Sequence, residues 1–146
     1  MSEISVNKRA LFDYEILETF EAGLVLRGHE VKSIALGRAN LSGAHASVRG
    51  DEVWLLNMDV PPYQPGNMPE HYDSKRTRKL LLSRSEIAAL IGRTKEKGLT
   101  LVPLKLYSKS AKFKLLLGLA RSRKKSDKRE AIRKRETDRE IRGASS

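Results

Sequence analysis

The apolar content of this chain stops abruptly at residue 120. The run of residues 113–120 is mostly apolar, whereas residues 121–146 contain eleven Lys or Arg, five Asp or Glu and very few apolar side chains. So polar a segment buries too little surface to offset its ordering entropy, and it is expected to order only against a polyanion. The sequence therefore predicts a folded domain over residues 1–120 and a basic C-terminal tail over residues 121–146 that is disordered when free.

Positive charge is concentrated in that tail. The formal net charge is +11. The tail contributes +6 from eleven basic and five acidic residues, and residues 1–120 contribute +5 from 18 basic and 13 acidic residues. Such a distribution is typical of nucleic-acid binding. Charge for solubility alone does not require this segregation, and binding to an anionic membrane surface would require an apolar helical face that the tail lacks.

Several classes of protein are disfavoured by what the sequence lacks. It has no cysteine, which argues against disulfides and thiolate zinc sites and favours a reducing, cytoplasmic location. The first residues lack the apolar segment of a signal peptide, and no apolar run approaches the roughly 18 residues of a membrane span.

The periodicity of apolar residues predicts a mainly β fold with short helices. Residues 1–8 carry no clear pattern and are expected to be flexible. The predicted strands and hairpin cover residues 14–20, 24–26, 46–49, 52–58, 100–107 and 112–120. A helix is predicted over residues 28–36, and another follows Ser83, which forms a capping box with Glu86, and ends at Gly98. The Pro-rich segment 61–77 is predicted to be a loop. We expect closure into a small antiparallel, OB-like (oligonucleotide-binding-type) β-barrel.

Two of these strands carry a more detailed prediction. In residues 100–107, alternation places Val102, Leu104 and Leu106 inward, and Pro103 favours an edge or a bulge. In residues 112–120 the alternation is uninterrupted. It places Phe113, Leu115, Leu117 and Leu119 inward.

No pattern in the chain indicates catalysis. The three histidines share no metal-binding spacing, and the carboxylates lie in alternating or turn positions typical of solvated surfaces. No nucleophile elbow, P-loop or dinucleotide fingerprint is present. The sequence predicts a protein that is not an enzyme, with no cofactor and no metal.

Three basic runs with interleaved apolar or aromatic residues indicate RNA binding. They are residues 7–12, 75–79 and 107–114. Lys and Arg neutralise phosphates, and exposed rings stack on unpaired bases. RNA is favoured over DNA because no helix-turn-helix or zinc finger offers a major-groove reader. A structural ribosomal protein, a general RNA chaperone and a divalent-ion RNA-processing enzyme remain as alternatives.

Eight short strings in order identify a resemblance to one family. They are Asn7–Ala10, Phe20–Gly23, Glu30–Ser33, Gly37–Asn40, Arg76–Leu82, Glu86–Ile87, Leu104–Tyr107 and Asp127–Arg129. Together they resemble the SsrA-binding protein (small protein B) family, the partner of transfer-messenger RNA (tmRNA). The resemblance implies a non-enzymatic adaptor with an OB-like barrel. This adaptor would bind the tRNA-like domain of tmRNA and deliver it to stalled ribosomes for trans-translation.

The resemblance also implies which residues act. Glu21, Leu81 and Lys114 match positions that the family uses to bind the RNA, and Asn7, Lys8 and Arg9 lie in a matching basic patch. The ribosome-engaging tail positions are Arg123, Lys124, Lys125, Asp127, Lys128 and Arg129. They would become helical against ribosomal RNA, beside the decoding region and along the vacant message channel.

The chain departs from the family pattern at a few positions. Ser122 stands where the family usually has a Gly hinge before the tail, and Arg123 stands where a Lys is usual. Ser126 replaces a ring-bearing residue, and Asp59 replaces an imidazole.

Overall fold

The computed structural model describes residues 2–69 and 71–123. These residues form three helices and seven strands. The helices are α1 (Lys8–Asp13), α2 (Gly28–Ala35) and α3 (Arg84–Thr94). The strands are β1 (Ser2–Val6), β2 (Tyr14–Leu24), β3 (His45–Arg49), β4 (Glu52–Leu56), β5 (Arg78–Leu81), β6 (Leu99–Lys109) and β7 (Lys112–Ser122).

All seven strands belong to one antiparallel sheet in the order β1-β6-β7-β2-β5-β4-β3. The predicted mainly β fold with short helices is therefore confirmed. The predicted closure into an OB-like barrel is not, because no ladder among the described residues joins β3 to the other side of the sheet. β1 pairs only with residues 105–108 of β6. The first residues of β6 instead face β3 across a groove of about 260 Å³.

The prediction of a flexible N-terminus is wrong for the described residues. β1 pairs with β6, and the Asn7 backbone N–H donates to Leu104 O at 2.8 Å as the chain enters α1. The partner strand lies about a hundred residues away in sequence, so local periodicity contains no trace of this pairing. Ile4 also packs against the main core, the larger buried apolar cluster that includes Leu55, Leu106 and Leu117. This packing reinforces the pairing of β1 with β6.

Residues 14–24 form one strand rather than the predicted two. Ala22 and Gly23, which lie between the two predicted strands, pair with Leu115 and Lys114 of β7. A Cβ on Gly23 would lie 3.4 Å from Leu81 Cβ on the neighbouring strand β5, so the two strands lie in van der Waals contact here. β5 was not predicted from periodicity, since its four residues directly follow the long loop.

The predicted helix over residues 28–36 and the hairpin around Gly50 are confirmed as α2 and β3–β4. The Ser83 capping box is also confirmed, since the Glu86 N–H donates to Ser83 Oγ and the Ser83 N–H donates to the Glu86 carboxylate. α3 ends at Thr94, earlier than the predicted stop at Gly98.

A bulge at Pro103 divides the side chains of β6 between two cores. The register shifts between Pro103 and Lys105 as predicted. Leu106 therefore lies in the main core, whereas Val102 and Leu104 lie on the opposite face beneath α1. The prediction that all three share one inward face is wrong, because an inserted residue inverts the period-two alternation beyond it.

The alternation of β7 is confirmed. Leu115, Leu117 and Leu119 are fully buried in the main core, and Phe113 packs against it. β7 continues to Ser122, which pairs with Tyr14, so the sheet includes the first two residues of the predicted tail.

Candidate RNA interface

The candidate RNA interface lies on the outer face of strands β6, β7 and β2, opposite the main core. α1 covers one end of this face, where its Ala10 packs with Val102, Leu104 and Ala120. The other end carries Glu21, Tyr107 and Lys114, whose side chains alternate with the core residues of the same strands.

An apolar groove opens beside this uncovered end. Its volume is about 420 Å³, and we refer to it as the Leu81 groove. It is lined by Gly23, Leu24, Leu26, Val31, Leu81, Ala111, Lys112, Phe113 and Lys114. Leu81 is 50% exposed, although it is a large apolar residue at a strand end. A groove with apolar walls and lysines at its rim matches an unstacked base flanked by phosphates.

Glu21 lies two residues from Gly23 on β2, on the outer face. The Tyr107 hydroxyl donates to Glu21 Oε2 at 2.5 Å, and Lys109 Nζ lies 3.3 Å from the same oxygen. The Tyr107 hydrogen bond lowers the pKa of Glu21, partial desolvation opposes this, and Lys109 lowers the pKa further. Three of the sequence-predicted residues, Glu21, Leu81 and Lys114, are therefore brought together by the fold.

The Asn7–Arg9 patch occupies a different place. The Asn7 side-chain N–H donates to Pro103 O at 2.9 Å, so this amide fastens α1 to the bulge of β6. Arg9 has an 84% exposed side chain, forms an ion pair with Asp13 at 3.3 Å and lines a separate pocket of about 240 Å³. Lys8 is exposed at the start of α1. The structure does not bring these three residues into the Leu81 groove.

Two arginines of the basic run 75–79 are engaged within the protein, whereas Lys75 is exposed. Arg78 is fully buried and Arg76 is bound to the buried carboxylate of Glu30. Lys79 forms an ion pair with Glu52 at 3.2 Å. The prediction that this run contacts phosphates is wrong for Arg78, because a guanidinium satisfied inside the protein cannot reach a ligand.

The run 107–114 contains one further correction. Tyr107 was a candidate for stacking on an unpaired base, but it is only 2% exposed. Its ring is covered on the outer face, and Lys105 Nζ lies 5.7 Å from the ring centroid. Burial first and then the hydrogen bond to Glu21 raise the pKa of Tyr107, so the hydroxyl stays protonated and acts as a donor. The sequence therefore indicated Tyr107 as a residue of interest, but the expected stacking on a base is wrong because the ring is buried.

Of the six tail residues predicted to engage the ribosome, the structure describes only Arg123. Its backbone N–H donates to Asp13 O at 2.9 Å, and its Nε donates to Tyr14 O at 3.1 Å. This point lies at the opposite end of the β2–β7 ladder from Gly23 and Lys114. Arg123 follows Lys114 by nine residues along β7, a distance of roughly 30 Å in an extended strand. Lys124, Lys125, Asp127, Lys128 and Arg129 lie outside the described residues.

Residues 2–69 and 71–123 contain neither a candidate metal site nor a candidate membrane-spanning helix. No group of three or more His, Cys, Asp or Glu side chains that could hold a metal ion occurs among them. None of their helices is long and apolar enough to cross a membrane.

Comparison with known proteins identifies the family. The sequence profile of the family described as SmpB protein matches residues 4–146. The chain belongs to the SmpB protein family. The resemblance inferred from eight short strings is thereby confirmed over almost the whole length.

Individual relatives agree with this family. The SsrA-binding protein of Anoxybacillus flavithermus is 56% identical over 138 residues, covering 94% of this chain and 89% of the relative. That of Carboxydothermus hydrogenoformans is 53% identical, covering 94% and 92%. A solved chain described as "tmRNA-SmpB: a journey to the center of the bacterial ribosome" superposes with a TM-score of 0.67 at 45% identity, covering 88% of this chain and 93% of that chain.

Proposed function

We propose that this protein is an RNA-binding adaptor for ribosome rescue. It binds the tRNA-like domain of tmRNA and delivers that RNA to stalled ribosomes for trans-translation, which places it in the cytoplasm. The observation that carries the proposal is that Leu81 and Lys114 line one groove, while Glu21 lies two residues from Gly23 of that groove on the same strand. Membership of the SmpB family and the tmRNA and ribosome named for its solved relative support it.

Each of the three residues has a distinct part in RNA binding. Lys114 at the rim neutralises a phosphate, and the exposed Leu81 side chain contacts the face of an unstacked base. Glu21 is held ionised by Tyr107 and Lys109, so it repels phosphates and accepts a hydrogen bond from a donor on a base. The arrangement binds a folded RNA with splayed bases and provides no group for catalysis.

The tail supplies the second half of the function. Residues 121–146 include eleven basic side chains, and we propose that Arg123, Lys124, Lys125, Asp127, Lys128 and Arg129 engage ribosomal RNA beside the vacant message channel. The folded body holds the RNA, and the tail enters the ribosome. The tail can enter the message channel only where no message occupies it, so its entry distinguishes a vacant channel from an occupied one.

Titration of the purified protein with the tRNA-like domain at several salt concentrations tests the RNA-binding half. Lys114→Ala should weaken binding and reduce the slope of log affinity against log salt by about one. Leu81→Ala should weaken binding with the slope unchanged. The matched controls are Lys95→Ala and Leu36→Ala, which change exposed residues outside the groove and outside the three basic runs.

Competition with unrelated structured RNAs separates this adaptor from a general RNA chaperone. Equal competition by any structured RNA would contradict the proposal. Wild-type affinity in both Lys114→Ala and Leu81→Ala would show that the groove is not the binding site.

A further inference from the structure

Tyr107 is buried on a face of the sheet that points away from the main core. Its neighbour in sequence, Leu106, lies in the main core, so Tyr107 lies on the outer face and pairs with Lys114 across β6 and β7. A tyrosine on the uncovered end of that face would ordinarily be exposed, yet only 2% of Tyr107 is accessible. The residue is therefore packed in place rather than available for stacking.

The hydroxyl of Tyr107 fixes one oxygen of Glu21 and leaves capacity on the other. Glu21 Oε2 receives Tyr107 at 2.5 Å and Lys109 at 3.3 Å, whereas Oε1 is 3.5 Å from Lys109, at the limit of a hydrogen bond. A carboxylate offers about four acceptor positions. Glu21 thus presents an oriented, ionised acceptor beside the Leu81 groove.

We propose that Tyr107 is a positioning residue for RNA recognition, which holds the Glu21 carboxylate at the angle needed to accept from a donor on an unpaired base. The inference rests on the proposed function and extends it to a residue that does not itself touch the RNA. Without the hydroxyl, the carboxylate rotates and must be ordered again on binding, and that ordering weakens affinity.

Tyr107→Phe is the direct test, because it removes the hydroxyl and keeps the ring. Affinity for the tRNA-like domain should fall roughly tenfold, the scale of one hydrogen bond to a charged group. The salt slope should stay unchanged, since no cation is lost. The matched control is Tyr63→Phe, which lies in the loop after β4, beside Lys32, and should bind like wild type.

A double-mutant cycle distinguishes positioning from a merely structural role. In a Glu21→Ala background, Tyr107→Phe should cause no further loss of affinity, because the group it positions is gone. An equal loss in both backgrounds would show that Tyr107 acts through the fold and would overturn the inference. The pKa of Glu21, followed by NMR titration of its carboxyl carbon, should rise in Tyr107→Phe towards the ordinary range. An unchanged pKa would also overturn it.

The groove variants keep the two proposals separate. If Leu81→Ala and Lys114→Ala weaken binding but Tyr107→Phe does not, the positioning role fails and the proposed function stands. If none of the three weakens binding, the RNA-binding groove itself is wrong.

Discussion

Glu30 and Arg78 form an ion pair in which both side chains are fully buried. Arg78 Nη2 lies 2.6 Å from Glu30 Oε2, and Arg78 Nη1 donates to Met58 O at 2.7 Å. Arg76 binds the other carboxylate oxygen. The pair joins α2 to β5 and to Met58, two residues after the end of β4. It therefore fixes the wall from which Leu81 and Val31 face the groove.

Neutralising one partner of this pair should destabilise the fold strongly. Glu30→Gln leaves Arg78 charged and buried without a counter-ion, and the free energy of unfolding should fall by about 3–5 kcal/mol. Urea denaturation measures the loss. The control is Glu52→Gln. Glu52 and its partner Lys79 each have a side chain that is 40% exposed to solvent, so this substitution should lower the free energy of unfolding by about 1 kcal/mol or less. Equal effects of the two substitutions would contradict the assigned role of Glu30.

The same pair predicts the response to acid. Burial raises the pKa of Glu30, but hydrogen bonds from Arg76, the Arg27 backbone N–H and Arg78 outweigh it and lower the pKa to about 2. Because the folded pKa lies below the ordinary value of 4.5, the ion pair contributes its full stability above about pH 4.5. That contribution is lost as the pH falls towards 2.

Denaturation curves at pH 7, 4.5 and 2.5 check this window. The stability difference between wild type and Glu30→Gln should shrink as the pH falls across it. A difference that stays constant down to pH 2.5 would contradict the ionised state of Glu30.

A close approach at Gly118 predicts that an added methyl group destabilises the fold there. A Cβ on Gly118 would lie 3.0 Å from Leu104 Cδ1 and 3.3 Å from Ile16 Cγ2, beneath α1. Gly118→Ala should therefore cost roughly 1–3 kcal/mol through overpacking. Gly92→Ala in α3 meets no atom within 4 Å and should instead stabilise by roughly 0.5–1 kcal/mol. Thermal denaturation of both variants measures the contrast, and a stabilised Gly118→Ala would contradict it.

Local pattern predicted the parts of this fold that local chemistry determines. The Ser83 capping box, the Gly50 hairpin and the alternation of β7 depend on neighbours in sequence, and the structure confirms them. β1 and β5 could not be predicted in this way. Each is a short strand held by a distant partner.

The residues of the candidate site likewise differ in how far the sequence could predict them. The resemblance named Glu21, Leu81 and Lys114, and the fold brings them together. Charge pattern alone misassigned Arg78, because a buried guanidinium and a phosphate-binding one look identical in a sequence. The distinguishing partner, Glu30, lies 48 residues away.

The most direct test of the central account compares RNA affinity with rescue in a protein that ends at Arg123. This end preserves all of β7 and the contacts of Arg123 with Asp13 and Tyr14, whereas an end at Ala120 would cut the sheet. The measurement is tagging of chains stalled on a message without a stop codon, made at concentrations where the tRNA-like domain is saturated. We predict that the shortened protein binds this RNA within a few-fold of wild type and supports no tagging. Normal tagging by the shortened protein, or loss of RNA binding, would contradict the division between an RNA-binding body and a ribosome-engaging tail.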